Sequence, residues 1–111
     1  MFVAIYRWHL HPERAQDFVT NWQRITVGGL TGGSGGSSLF RNAQGVWVAI
    51  ARWPSREARD QFFEKLDGHD ADPAMSARAR LAVVERLPDE ELDSVLDCWA
   101  PFPEVAESAR P

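Results

Sequence analysis

A single cysteine, Cys98, stands in 111 residues. No internal disulfide can form, and such sparing use of cysteine fits a reducing compartment. No apolar run approaches the roughly 20 residues that a membrane-crossing helix needs. The first apolar run is broken by Arg7 after a few residues, which argues against a signal peptide. A cytoplasmic protein with no membrane partner is therefore expected. Positive charge is not in excess: the net charge is −4, so no nucleic-acid partner is expected. Residues 1–66 carry +3, with eight Lys and Arg against five Asp and Glu, and residues 67–111 carry −7, with four against eleven. The acidic half reads as a solvated face. Lys and Arg are also missing from Val27 to Phe40, where "GGLTGGSGGSS" gathers six of the eight glycines. A Walker-type phosphate loop requires a Lys followed by Ser or Thr, and a dinucleotide fingerprint requires a strand before it and a helix after it. Here the helical pattern comes first and the strand second, so phosphate binding is not expected.

What is present is aromatic. Five Trp and six Phe supply large flat side chains for a core or a pocket. "FVAIYRWHL" (residues 2–10) reads as a strand with Phe2, Ala4, Tyr6, Trp8 and Leu10 on one face and Val3, Ile5, Arg7 and His9 on the other. Both faces are partly apolar, so both are expected to be covered. Pro12 then opens a helix whose inward stripe is Ala15, Phe18, Val19, Trp22 and Ile25. Gly28 and Gly29 are expected to stop it, and the remaining glycines to form a mobile connector. "SSLFRN" and "VWVAIARW" around "AQG" predict a β-hairpin. On its second strand Trp47, Ala49, Ala51 and Trp53 share a face, large–small–small–large, which leaves room between two indoles. Ser55 caps a further helix with Ala58, Phe62 and Leu66. Asp72 and Pro73 open another, expected to run to about Leu87, and "ELDSVLDCWA" is expected to be the last strand. The tail, residues 101–111, lacks periodicity and is expected to be irregular.

The order β-α-β-β-α-(α)-β predicts an α+β domain over residues 1–100. It is the ferredoxin-like arrangement: a four-stranded antiparallel sheet with helices on one face. At this point "YRWHLHPERAQDF" (6–18) and "GSSLFRNAQGVWVAIARWPSREAR" (36–59) resemble the antibiotic biosynthesis monooxygenase family, of the dimeric α+β barrel superfamily. The shared features are a strand leading into an "xxPxxxxxF" helix, a hairpin, and a strand ending in "RWPSREA". The resemblance implies a homodimer whose sheets pack into a barrel, with a pocket between sheet and helices in each subunit. It implies either oxidation of polycyclic aromatic phenols to quinones by molecular oxygen, without metal or flavin, or haem degradation. The Trp that ends the third strand in quinone-forming members matches Trp53. The Asn four residues before it is replaced by Ala49, and a pocket Tyr in the next helix falls at about Arg59. In the haem-degrading branch an Asn falls at about Tyr6 and a Trp near Phe62 or Phe63, and its helical His has no counterpart in "MSARARLAVVER".

The candidate site follows from residue type. His9 is the best general base by its ordinary pKa, Arg52 can stabilise an oxyanion, and Trp53 is the carried-over residue, which makes these three the catalytic candidates. Tyr6, Phe18, Asn21, Trp22 and Trp47 are the substrate-binding candidates for a small aromatic or apolar ligand. Which strand face lines the pocket stays open, and the two faces cannot both serve. His9, His11 and His69 or Asp70 could gather as metal ligands or stand as ordinary surface groups; their spacing is not that of a metal motif, and no metal is expected. Cys98 is read as a small apolar residue rather than a nucleophile. Two functions remain: a cofactor-independent monooxygenase with oxygen as co-substrate, and a non-catalytic dimeric module that binds an apolar small molecule.

Overall fold

The computed structural model describes residues 1–100; the tail expected to be irregular, 101–111, lies outside the described residues. The chain runs β1 (Phe2–Leu10), a 3-10 turn (Pro12–Arg14), α1 (Ala15–Thr31), β2 (Ser37–Arg41), β3 (Trp47–Trp53), α2 (Arg56–His69), α3 (Pro73–Leu81) and β4 (Val83–Asp93). The strands form one sheet in the order β2-β3-β1-β4, and every neighbouring pair is antiparallel. This is the α+β, ferredoxin-like sheet with helices on one face that the sequence predicts.

Alternation along the strands decides which face the helices cover. Phe2, Ala4, Tyr6, Trp8 and Leu10 of β1 are buried with Ala49, Ala51 and Trp53 of β3. The register places Phe2 opposite Trp53, Tyr6 opposite Ala49 and Trp8 opposite Trp47. Tyr6 thus faces Ala49 and Ala4 faces Ala51, which keeps the floor of the helix-side layer low at the middle of β3. The other face carries Val3, Ile5, Arg7 and His9 with Val48, Ile50 and Arg52, and no helix covers it among the described residues.

Three boundaries differ from expectation. α1 does not stop at Gly28 and Gly29 but continues to Thr31, because Gly29 is buried against α2, where a Cβ would already touch Phe62 at 3.5 Å. The left-handed residue is Gly33, at φ 95°, and the backbone N–H groups of Gly32 and Ser34 both donate to the Gly29 carbonyl at 2.9 Å. The glycine connector is also tied down at its far end. Gly35 N–H donates to the Arg52 carbonyl at 2.8 Å and Arg52 N–H to the Gly36 carbonyl at 2.9 Å, which extends the hairpin ladder beyond β2. Finally, α3 ends at Leu81 rather than Leu87, and the last strand is Val83–Asp93 rather than residues 91–100. Pro88 sits where the β1–β4 register shifts, between the pairs Ile5–Glu90 and Arg7–Leu87, a place where a proline costs the ladder no hydrogen bond. Cys98, placed on a strand by the sequence reading, is exposed beyond β4.

Candidate functional site

A recess of about 70 Å³, open to solvent on one side, lies between the sheet, α1 and α2. β1 contributes Tyr6, β3 contributes Ala51 and Trp53, α1 contributes Trp22, Ile25, Thr26 and Gly29, and α2 contributes Phe62 and Phe63; Ser34 and Ser37 close one end. None of these side chains carries a formal charge. The small Ala51 leaves the space and the rings shape it. Trp53 stands 5.4 Å from Phe62 and 6.1 Å from Phe63 between ring centres, and Tyr6 meets Trp22 edge-on at 6.0 Å. Trp22 is held from behind, stacked on Phe18 at 6.0 Å and edge-on to Trp8 at 5.2 Å.

Hydrogen bonds distinguish the two indoles. Trp22 Nε1 donates to Ser37 Oγ at 2.9 Å, and Ser37 Oγ lies 2.7 Å from Thr26 Oγ1. Trp53 is 4% exposed, yet its Nε1 is buried with no hydrogen-bond partner among the described residues. A buried donor left unpaired costs roughly 1–3 kcal/mol, and this one is out of solvent's reach in the structure as it stands.

Beside the recess lies a second, more open cleft between α2, β1 and β4 that shares Tyr6, Trp22 and Phe63 with it and adds Trp8, Arg59 and Arg86. Here Arg59 Nη1 donates to the Tyr6 hydroxyl at 3.3 Å, Nη2 to Glu91 Oε2 at 2.6 Å and Nε to Asp60 Oδ1 at 2.6 Å. Arg56 also pairs with Glu91, and both guanidiniums lie over the Phe2 ring, at 4.8 and 5.0 Å. Burial lowers the Arg59 pKa, but hydrogen bonds to Glu91, Asp60 and Tyr6 outweigh it and the net shift is upward. The same contacts, Arg59 first and then Arg56, hold the Glu91 carboxyl below its ordinary value.

The eight sequence candidates divide by strand face. Tyr6, Trp22 and Trp53 line the recess, and Phe18 backs Trp22. Trp47 sits half-buried at the hairpin end, with the Arg41 guanidinium 5.6 Å from its ring. Asn21 is buried, but its side-chain oxygen accepts from Arg24 at 2.7 and 3.2 Å, so it serves the packing of α1 on α3. His9 and Arg52 fall on the opposite face from Tyr6 and Trp53. His9 pairs in register with Glu85, and Arg52 Nη2 donates to the Gly35 carbonyl at 2.9 Å. The two polar catalytic candidates are therefore kept from the recess by the alternation of the strands. Sequence reasoning missed Arg59 and Glu91 as site residues. The available signal for Arg59 was its place where the resembled family has a pocket Tyr. Among the described residues no group of three or more His, Cys, Asp or Glu could hold a metal ion, and no helix is long and apolar enough to cross a membrane.

No family model matches the sequence, and no curated protein matches it. Solved structures do match in fold. An antibiotic biosynthesis monooxygenase superposes with a TM-score of 0.66 at 16% identity over 86% of this chain and 100% of that one. SnoaB, a cofactor-independent oxygenase from Streptomyces nogalater, gives 0.65 at 14% over 86% and 94%. A NIPSNAP domain protein from Burkholderia xenovorans gives 0.68 at 14% over 90% and 100%. The chain thus has the fold of the antibiotic biosynthesis monooxygenases, as the sequence resemblance implies.

Proposed function

We propose that the protein is an oxygenase of small or polycyclic aromatic molecules, acting as a homodimer without metal or flavin, with the recess as its site. The observation that carries this is an uncharged recess walled by the rings of Tyr6, Trp22, Trp53, Phe62 and Phe63. The rings of Trp22, Phe62 and Phe63 would hold a flat substrate, and a small movement of the Trp53 ring would let its N–H donate to the substrate's oxygen. The reaction takes one phenol and one O2 to one quinone and one water. The ionised substrate is itself the reductant: it passes electrons to oxygen, one oxygen atom becomes the new carbonyl, and the other leaves as water. SnoaB is described as cofactor-independent, and its shared fold supports the same economy here. The sheet face away from the helices supports the dimer: Ile5 and Ile50 pair in register there between Val3 and Val48, residues 94–99 border it only beside Val3 and Ile50, and a second copy laid on it would bury apolar surface that monomers seldom leave open.

A binding-only module is the second reading, favoured by Ala49, fully buried where quinone-forming relatives have Asn, and by a recess that offers neither His nor carboxylate. Aerobic turnover of anthrone-like phenols, with chelator present, separates the two. Quinone absorbance should rise with the wild type and fall about 10²-fold in Trp53→Phe, the usual cost of losing one well-placed donor, while Cys98→Ser stays at wild-type rate. Undiminished turnover in Trp53→Phe would remove the recess as the site. Saturable binding without turnover would support the module.

A further inference from the structure

Resting on the reading of the recess as an aromatic-substrate site, we infer that Tyr6 and Arg59 form an oxyanion-stabilising pair. Tyr6 donates its hydroxyl hydrogen to the phenolic oxygen of the bound substrate, and Arg59 is the positioning residue that holds that hydroxyl. Four observations lead here. First, Tyr6 is buried and lines both the recess and the adjoining cleft. Second, among the described residues its oxygen accepts from Arg59 and its hydrogen reaches no protein acceptor, so one donor is left to offer. Third, the Arg59 side chain is 13% exposed and anchored at Asp60 and Glu91, so its remaining N–H groups are fixed in direction. Fourth, the recess holds no His, Asp or Glu; the carboxylates near Tyr6, those of Asp60, Glu64, Asp67, Asp89 and Glu91, line the adjoining cleft.

A hydrogen-bond donor aimed at the phenolic oxygen favours the conjugate base of the ligand. The substrate O–H bond breaks, the proton passes to solvent, and the oxygen keeps the electron pair and accepts from Tyr6. A donor whose own oxygen is already hydrogen-bonded is strengthened by that bond, which is what Arg59 adds. The charged groups that share the cleft with Tyr6 are Arg59, Asp60, Glu64 and Asp67 from α2 and Arg86, Asp89 and Glu91 from β4; the Arg86 guanidinium lies 5.5 Å from the Tyr6 ring, Asp60 and Glu91 pair with Arg59, and Asp89 pairs with Arg86. Both arginines are thereby neutralised, so Arg59 acts through its hydrogen bond and not through net positive charge.

The probe is 4-nitrophenol, whose ionised form absorbs visible light. Its binding is followed by quenching of Trp fluorescence and its ionisation by absorbance, across pH, with the protein in excess. On the wild type the bound probe should ionise about tenfold more readily than in buffer, about one pKa unit. Most of that shift should vanish in Tyr6→Phe and in Arg59→Leu, and part of it should return in Arg59→Lys, with saturable quenching kept throughout. A probe that binds but ionises alike in wild type, Tyr6→Phe and Arg59→Leu would overturn the pair and leave the recess standing. A probe that does not quench any of the proteins would overturn the recess itself as a site for phenols, and this inference with it.

Discussion

Trp53, Tyr6 and Asp70 show how differently single polar groups are treated in this molecule. Trp53 keeps a buried N–H unpaired and Tyr6 a hydroxyl with a donor to spare, whereas Asp70 is fully engaged. It accepts from Ser76 at 2.5 Å, from the Asp72 backbone N–H at 2.9 Å and from Arg24 at 3.0 Å. In that order these contacts hold its carboxyl below the ordinary value. Asp70 and Glu91 both have depressed folded-state values, so the unfolded chain binds more protons than the folded one at acid pH. Their stabilisation is complete above the ordinary carboxylate range, about pH 4, and is lost as pH falls through their folded values. Urea midpoints measured from pH 6 to pH 3 should drop, and Asp70→Asn and Glu91→Gln should each be less stable at pH 6 and show a shallower drop. An unchanged acid slope in both would contradict these contacts. Residue type alone suggested His9 as the base, yet alternation puts it on the far face. Because both faces of β1 are apolar at the inner positions, the sequence offered no means of choosing between them.

At the scale of elements, the glycine segment is part of the scaffold and not a free connector. Gly28 faces open space on a helix, while a Cβ at Gly35 would lie 3.0 Å from Arg52 Cβ and 3.2 Å from the Arg52 carbonyl oxygen. Gly28→Ala should therefore stabilise the protein by up to about 1 kcal/mol, the helix-propensity difference, and Gly35→Ala should destabilise it by pushing the chain off β3. Urea denaturation of the two variants should give opposite signs; equal effects would contradict the pairing of Gly35 with β3. The strands β1 and β3 were legible from their alternation and their aromatic ends. β4 was not, because "LAVVERL" spaces its apolar residues as a helix does and Pro88 looks like a helix stop. The pair Val83–Val84 was the one local sign of a strand. What decides the matter is non-local: the free edge of β1 needs a partner, and among the described residues the ladder with residues 83–93 supplies it. Glu91 was missed because the expected strand only begins there, whereas β4 starts at Val83 and its ladder with β1 sets Glu91 opposite Ala4.

For the whole molecule, the proposed dimer and the proposed chemistry depend on opposite faces of one sheet. The helix-side face is closed around the recess, and the other presents Val3, Ile5, Val48 and Ile50. Sedimentation should give a dimer at micromolar concentration, with an interface of about 800 Å² or more per subunit, and Ile5→Glu should dissociate it. A monomeric wild type would count against the barrel. The central claim, that the recess oxygenates an aromatic substrate, is tested most directly by turning over anthrone under isotopically heavy O2 and weighing the quinone formed. One heavy oxygen atom per product, formed by the wild type and lost in Trp53→Phe, is the result predicted. A product whose new oxygen comes from water, or one formed equally by Trp53→Phe, would contradict it.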